Sequence, residues 1–197
     1  TNLKPGGFAE YFIASDIHVE RETLVLPDEL SYESGTLIEP LACVIHAIQK
    51  SNIKPGDSAV LIGSGVMGLM FIRALKYFGV EKIIVYEIIR WRAEKAIEFG
   101  ASTVIQPLQD PFDEAERLKT ILHSDGADKV FIVAKDVRAM ELGLQLANRG
   151  GTVVIFATPM PNEYLRFYVS DAFFRELTVM LSYSASYIDT RTALKLL

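Results

Sequence analysis

Hydrophobic and polar positions along the chain follow two regimes that meet near residue 57. Before that point the pattern is irregular. Phe8 to His18 mixes aromatic and β-branched residues and predicts one extended segment, and Thr23-Leu24-Val25-Leu26-Pro27 continues the same strand-and-turn character. Ser31 opens a helical stretch whose first turn Glu33 can support. Pro40 suits the first turn of a further helix, which carries Leu41, Val44, Ile45 and Ile48 at helical spacing. Lys54-Pro55-Gly56-Asp57 is a turn signal that closes this section.

From Ser58 the chain alternates regularly. Short apolar runs predict strands at Ala59–Ile62, Lys82–Tyr86, Thr103–Ile105, Val130–Ala134, Thr152–Phe156 and Leu177–Leu181. Helical periodicity fills the gaps, at Val66–Phe78, Trp91–Phe99, Phe112–Leu122 and Val137–Ala147. Ala59–Ile62 is too brief for a helix of normal length and suits a strand buried on both faces. Strands alternating with helices predict an α/β fold with a parallel sheet covered on both sides. Crossovers between parallel strands are right-handed, which leaves a doubly wound six-stranded sheet of Rossmann type. No internal repeat and no low-complexity tract interrupts the pattern. The expected division is a short section over residues 1–50 and a sheet domain over 51–197.

Composition narrows the function classes. Half of the 197 residues are hydrophobic and 23% are charged, the balance of a globular protein that buries a core. A formal charge of -5 with no Lys/Arg-rich block argues against nucleic acid as a partner. The longest apolar stretch, Ala59 to Leu75, is broken by Gly63, Gly65, Gly68 and Arg73 and does not suit a bilayer, so no membrane partner is expected. Cys43 is the single cysteine, which excludes an internal disulfide and is compatible with the reducing cytoplasm. The chain begins at Thr1 without Met and stops at Leu197 within an apolar helix face, so it is expected to be a piece of a longer protein.

The sharpest chemical signal is Gly63-Ser64-Gly65-Val66-Met67-Gly68, which follows the first strand of the alternating section and runs into a helix. In that position Gly63 permits a tight turn, Gly65 lets the backbone approach a pyrophosphate, and Gly68 lets the helix pack closely on the strand. The free N–H groups and dipole of the helix beginning at Val66 and Met67 then face the phosphates. Glu87 ends the next strand, 19 residues beyond Gly68, where an acid accepts hydrogen bonds from ribose hydroxyls. Such a carboxylate repels the extra phosphate of NADP and favours NAD, while Arg90 and Arg92 nearby leave NADP as the lesser alternative. Ala134, in Ala134-Lys135-Asp136, and Ala157, in Ala157-Thr158-Pro159, follow later strands and are candidate contacts of the nicotinamide end.

The order of these motifs resembles the medium-chain, zinc-dependent alcohol and polyol dehydrogenases. Gly6-Gly7-Phe8-Ala9-Glu10-Tyr11 resembles the segment leaving that family's β-rich catalytic domain. Leu37-Ile38-Glu39-Pro40-Leu41-Ala42-Cys43 is similar to a helix of its sorbitol and threonine dehydrogenase branch. Lys54-Pro55-Gly56-Asp57, the glycine loop, Phe99-Gly100-Ala101 and Arg149-Gly150-Gly151-Thr152 follow in the family's order. The resemblance implies hydride transfer between NAD and a small secondary alcohol or polyol at a zinc site, in a homo-oligomer joined through the strand Leu177–Leu181. It makes residues 1–50 a remnant of the catalytic domain, and the chain alone inactive. By resemblance Glu39 lies at or near the catalytic zinc. The family usually has a Thr or Gly pair where this chain reads Ala134-Lys135-Asp136.

Three further readings stay open. Glu39, Cys43 and His46 share a helix face and could hold a metal unaided, although their apolar neighbours favour a buried thiol and a satisfied imidazole. A stand-alone dinucleotide-binding sensor module and a zinc-free NADPH-dependent reductase are the functional alternatives. Phe173, Phe174, Tyr183 and Tyr187 are expected to serve packing or an interface rather than a substrate pocket.

Overall fold

Ala59-Val60-Leu61-Ile62 has no polar side chain to turn toward water, and all four residues are buried in the strand they form. A computed structural model describes residues 7–107 and 110–197, and Gly6 of the opening motif lies outside them. The first helices are α1 (Asp16–Glu22), α2 (Tyr32–Gly35) and α3 (Ile38–Lys50). The alternating section then runs β1 (Ala59–Ile62), α4 (Val66–Tyr77), β2 (Ile83–Tyr86), α5 (Arg90–Glu98) and β3 (Thr103–Ile105). It continues with α6 (Pro111–Leu122), β4 (Ala127–Ile132), α7 (Val137–Leu146) and β5 (Ala147–Ile155). It closes with α8 (Val169–Phe174), β6 (Thr178–Leu181) and α9 (Tyr187–Leu196).

The six strands form one sheet in the order β3-β2-β1-β4-β5-β6, every pair parallel. This is the doubly wound order, with its switch point between β1 and β4. Register places Leu61 beside Val85 and Phe131, and Phe131 beside Val154, so one row of side chains covers one face. That face buries α3, α4 and α9 through residues such as Ile45, Ile48, Phe71, Leu75 and Ala193. Val60, Ile84, Ile132 and Val153 point to the other face, where Leu118 of α6 and Met140 and Leu144 of α7 cover them.

Ser31 caps α2 by accepting from the Ser34 amide, as expected, and Pro40 sits in the first turn of α3. The extended segment expected over Phe8–His18 is met only by a single bridge residue at Ile13. From Asp16 the chain is helical, with Ser15 Oγ 2.6 Å from His18 Nδ1. Phe8, Tyr11 and Ile13 are exposed, and β-branched and aromatic composition does not make a strand where no face of it is buried. Thr23–Pro27 likewise forms no strand.

Three strand boundaries also move by more than one residue, and the first is the start of β4, at Ala127 rather than Val130. β4 stops two residues early because the amides of Val133 and Ala134 both turn to the Ile62 carbonyl, each at 3.0 Å. β5 starts at Ala147, five residues early, with a register shift that lets Asn148–Gly151 fold against β4. Gly150 has a φ of +68° there and donates to the Arg175 carbonyl. No helix among the described residues is long and apolar enough to cross a membrane.

The β1–α4 junction sets the spacing of the whole sheet face. A Cβ on Gly68 would lie 2.2 Å from the Gly63 carbonyl oxygen, backbone against backbone. Gly68→Ala is therefore expected to lower stability by about 3 kcal/mol in urea unfolding. Gly143→Ala, whose Cβ would meet chiefly the side-chain tip of Ile132, is expected to be tolerated better.

Candidate dinucleotide-binding site

Gly63 leaves β1 with a φ of +98°, a conformation that side-chain-bearing residues rarely adopt, and donates to the Tyr86 carbonyl at 2.9 Å. Gly65 is the N-cap of α4 and offers no side-chain cap. The first turn of α4 carries no acidic residue, so its orphan N–H groups and positive dipole end face outward uncompensated. A Cβ on Gly65 would meet nothing nearer than Arg92 Nη1, at 4.0 Å. An open backbone face, a helix N-terminus and a guanidinium thus converge where an anion would approach, which fits a pyrophosphate. Val66 is exposed beside this face, while Met67 packs toward the core.

Arg92 extends from α5, its guanidinium 5.3 Å from the Trp91 ring, with Nε buried and without a hydrogen-bond partner. Arg90 is exposed and pairs with Glu94 one turn on. Glu87 ends the β2 segment, 7% exposed. Its Oε1 accepts from the amides of Ile88 and Ile89, and its Oε2 from the amide and hydroxyl of Ser64. Burial alone would raise the Glu87 pKa. The bonds from Ser64, Ile88 and Ile89 overcome it and hold the carboxyl below its ordinary value, so it is ionised at neutral pH.

Across the switch point, Ala134 abuts the loop: a Cβ on Gly63 would lie 3.2 Å from the Ala134 amide nitrogen. Asp136 caps α7 and pairs with Arg138 at 2.9 Å, so the carboxylate of Ala134-Lys135-Asp136 is engaged in starting a helix. Ala157 donates to the Ile132 carbonyl at 3.2 Å and lines a cleft of about 320 Å³ at the carboxyl ends of β5 and β6. Thr158, Ser182 and Tyr183 line it as well, and Cys43 reaches it from α3. Tyr183, 91% exposed, also lines this cleft. Phe173 and Phe174 are exposed and stack edge to face on each other.

The trio on α3 divides. Cys43 Sγ donates to Glu39 Oε1 at 3.3 Å, whereas His46 turns away to Asp189 of α9, Nδ1 to Oδ2 3.0 Å. Asp189 Oδ2 also accepts from the Ser186 amide and hydroxyl, closing a capping box on α9. Among the described residues no group of three or more His, Cys, Asp or Glu side chains could hold a metal ion. A catalytic zinc needs three protein ligands and an open position, so the described residues of this chain do not by themselves fit one. Residue reading did not anticipate Ser64 or Asp189. His46 and Asp189 lie 143 residues apart, and nothing local marks their pairing.

Sheet order, glycine loop and acidic strand end together define a dinucleotide-binding domain of the Rossmann type. The family model described as zinc-binding dehydrogenase matches residues 66–197, and the chain belongs to that family. The chain is 34% identical over 158 residues to sorbitol dehydrogenase of Bacillus subtilis, covering 80% of this chain and 43% of that one. Among solved structures, 2R,3R-butanediol dehydrogenase from Bacillus subtilis matches with a TM-score of 0.78 and 31% identity, over 87% of this chain and 48% of that chain. A protein described as a zinc-binding dehydrogenase from Sinorhizobium meliloti 1021, bound to NADP, matches with a TM-score of 0.78 and 28% identity, over 87% and 50% of the two chains. The chain spans about half the length of the relatives it matches.

Two outcomes follow from these charges. Burial and the Glu39 carboxylate push the Cys43 thiol up to about 12, so it is expected to stay unmodified by iodoacetamide at pH 8 while urea-unfolded chain reacts. Because the folded Glu87 carboxyl titrates below its ordinary value of 4.5, its stabilisation is complete above that pH and is lost as pH falls through the folded value. Urea midpoints at pH 7 and pH 3 are expected to differ more for the wild type than for Glu87→Gln, and equal differences would rule out this linkage.

Proposed function

We propose that this chain binds NAD across the switch point and serves an oxidoreductase that transfers a hydride between NAD and a secondary alcohol or polyol. The observation that carries the reading is the open face of Gly65, set between the uncapped N-terminus of α4 and the Arg92 guanidinium. Gly63, Gly65 and Gly68 admit the pyrophosphate, with Val66 and Met67 supplying first-turn amides. Glu87 accepts from the ribose, and Arg92 flanks the adenosine side. Ala134 and Ala157 border the nicotinamide end, which the cleft reaching Cys43 receives. The nicotinamide supplies the hydride chemistry, and the chain's own residues bind, orient and shield it.

Glu39 is proposed as an acid at or near the zinc of the whole protein, with the other ligands supplied from outside the described residues. The chain on its own then binds NAD without turnover. β6 is the edge of the sheet, with Leu181 68% exposed, and we place the contact between copies of a homo-oligomer there. The single cysteine suits a cytoplasmic setting. A second reading, NADP as cofactor, is favoured by the buried, unpartnered Nε of Arg92 and by the exposed Arg90.

Calorimetric titration of the 197-residue chain with NAD and with NADP tests both readings. NAD is expected to bind more tightly, with binding abolished by Gly65→Val and weakened roughly tenfold by Glu87→Ala, the loss of one or two bonds to a charged acceptor. Preference for NADP would establish the second reading, and absence of both would overturn the site. Zinc-dependent alcohol oxidation by this chain alone would overturn the claim that it does not turn over.

A further inference from the structure

Glu87 presents a problem that the NAD reading leaves unsolved. An ionised carboxylate offers about four acceptor positions. Here all four are taken by donors of the chain itself, at 2.8 to 2.9 Å. A ribose hydroxyl arriving at Glu87 must therefore share a position or displace a donor. Three of the four donors are backbone amides, of Ser64, Ile88 and Ile89, held by the turns that leave β1 and β2. They cannot leave without unfolding those turns.

The fourth donor is the Ser64 hydroxyl, whose proton turns away by rotation about the C–O bond and whose oxygen clears the position by a small rotation of the side chain about Cα–Cβ. Its alternative acceptor is already in place. Ser64 Oγ lies 2.9 Å from Glu87 Oε2 and 3.3 Å from the Arg92 carbonyl oxygen. Ser64 is itself buried, 1% exposed, so water does not take over either role.

We infer that Ser64 is a placeholder donor: its hydroxyl satisfies Glu87 Oε2 in the free protein and turns to the Arg92 carbonyl when a ribose hydroxyl takes its place. The inference rests on the NAD reading. It makes Ser64 a positioning residue that keeps a buried carboxylate ionised and satisfied in both states. The exchange trades a hydrogen bond to a charged acceptor for one to a neutral acceptor, so it works slightly against cofactor binding.

An unusual sign follows. In Ser64→Ala the free protein loses the stronger bond and the bound protein only the weaker one. The variant is expected to bind NAD about fivefold more tightly than wild type, the difference between bonds to charged and neutral acceptors. Its melting temperature is expected to be lower when free, with the gap narrowing at saturating NAD. An NAD analogue carrying 2′,3′-dideoxyadenosine is expected to bind wild type and variant equally, because no ribose hydroxyl is there to replace the serine. Ser64→Cys, which retains a weak donor, is expected to fall between the two and serves if the alanine variant does not fold.

Calorimetric titration of wild type and both variants with NAD and with the dideoxy analogue reads these outcomes. Unchanged or weaker NAD binding by the variants would overturn the placeholder role while leaving the NAD reading intact. Equal tightening for NAD and the analogue would also overturn it, by assigning the change to the loop rather than to the ribose. Failure of wild type to bind NAD at all would remove the cofactor reading and this inference with it.

Discussion

The contact on which the rest of the structure depends is the approach of α4 to the end of β1, where Gly68 lies against the Gly63 carbonyl with no room for a methyl group. That approach brings the helix N-terminus directly above the strand end. It also seats Phe71, Ile72 and Leu75 on the same sheet face as Leu61, Val85 and Phe131. Moving the helix outward would loosen this core and withdraw the Gly65 backbone from the crevice at once. Packing and ligand access are thus set by the same two glycines.

Electrostatics at the crevice follows from that placement. The uncapped, acid-free first turn of α4 and the Arg92 guanidinium make one region positive. Glu87, at the end of β2 and held against Ser64 of the loop, stays ionised because four donors surround it. A molecule with phosphates at its centre and hydroxyls toward one end matches this order of charge. The cleft at the carboxyl ends of β5 and β6 is mixed, with Phe156, Ala157 and Leu181 beside Thr158 and Ser182.

Helix α3 ties this apparatus to the far end of the chain. It buries Val44, Ile45, Ala47 and Ile48 in the core and presents Cys43 to the cleft. His46 is held by Asp189, whose carboxyl also caps α9. Burial would raise the Asp189 pKa, but bonds from Ser186 and His46 hold it below its ordinary value, so the Asp189 carboxylate is ionised at neutral pH. Lys50 reaches the Leu181 carbonyl at 2.9 Å and joins the end of the same helix to the edge strand.

Periodicity and turn chemistry by themselves determined the six strands, the helices α4 to α7 between the first five of them, and the place of the glycine loop and Glu87, but not α8 between β5 and β6. Each of these is written in short windows: apolar runs, helical spacing, and glycines at fixed offsets. The Phe8–His18 region shows the limit, because its β-branched and aromatic residues signal a strand only where a face of it is buried. The early end of β4 and the early start of β5 depend on which neighbour each amide meets, Ile62 in one case and the shifted register in the other. Only tertiary structure decided that His46 belongs to Asp189 rather than to a metal trio with Glu39 and Cys43, and that Ser64 shares the Glu87 carboxylate. Those choices are made by distances between atoms far apart in the chain, and a pattern along the sequence carries no record of them.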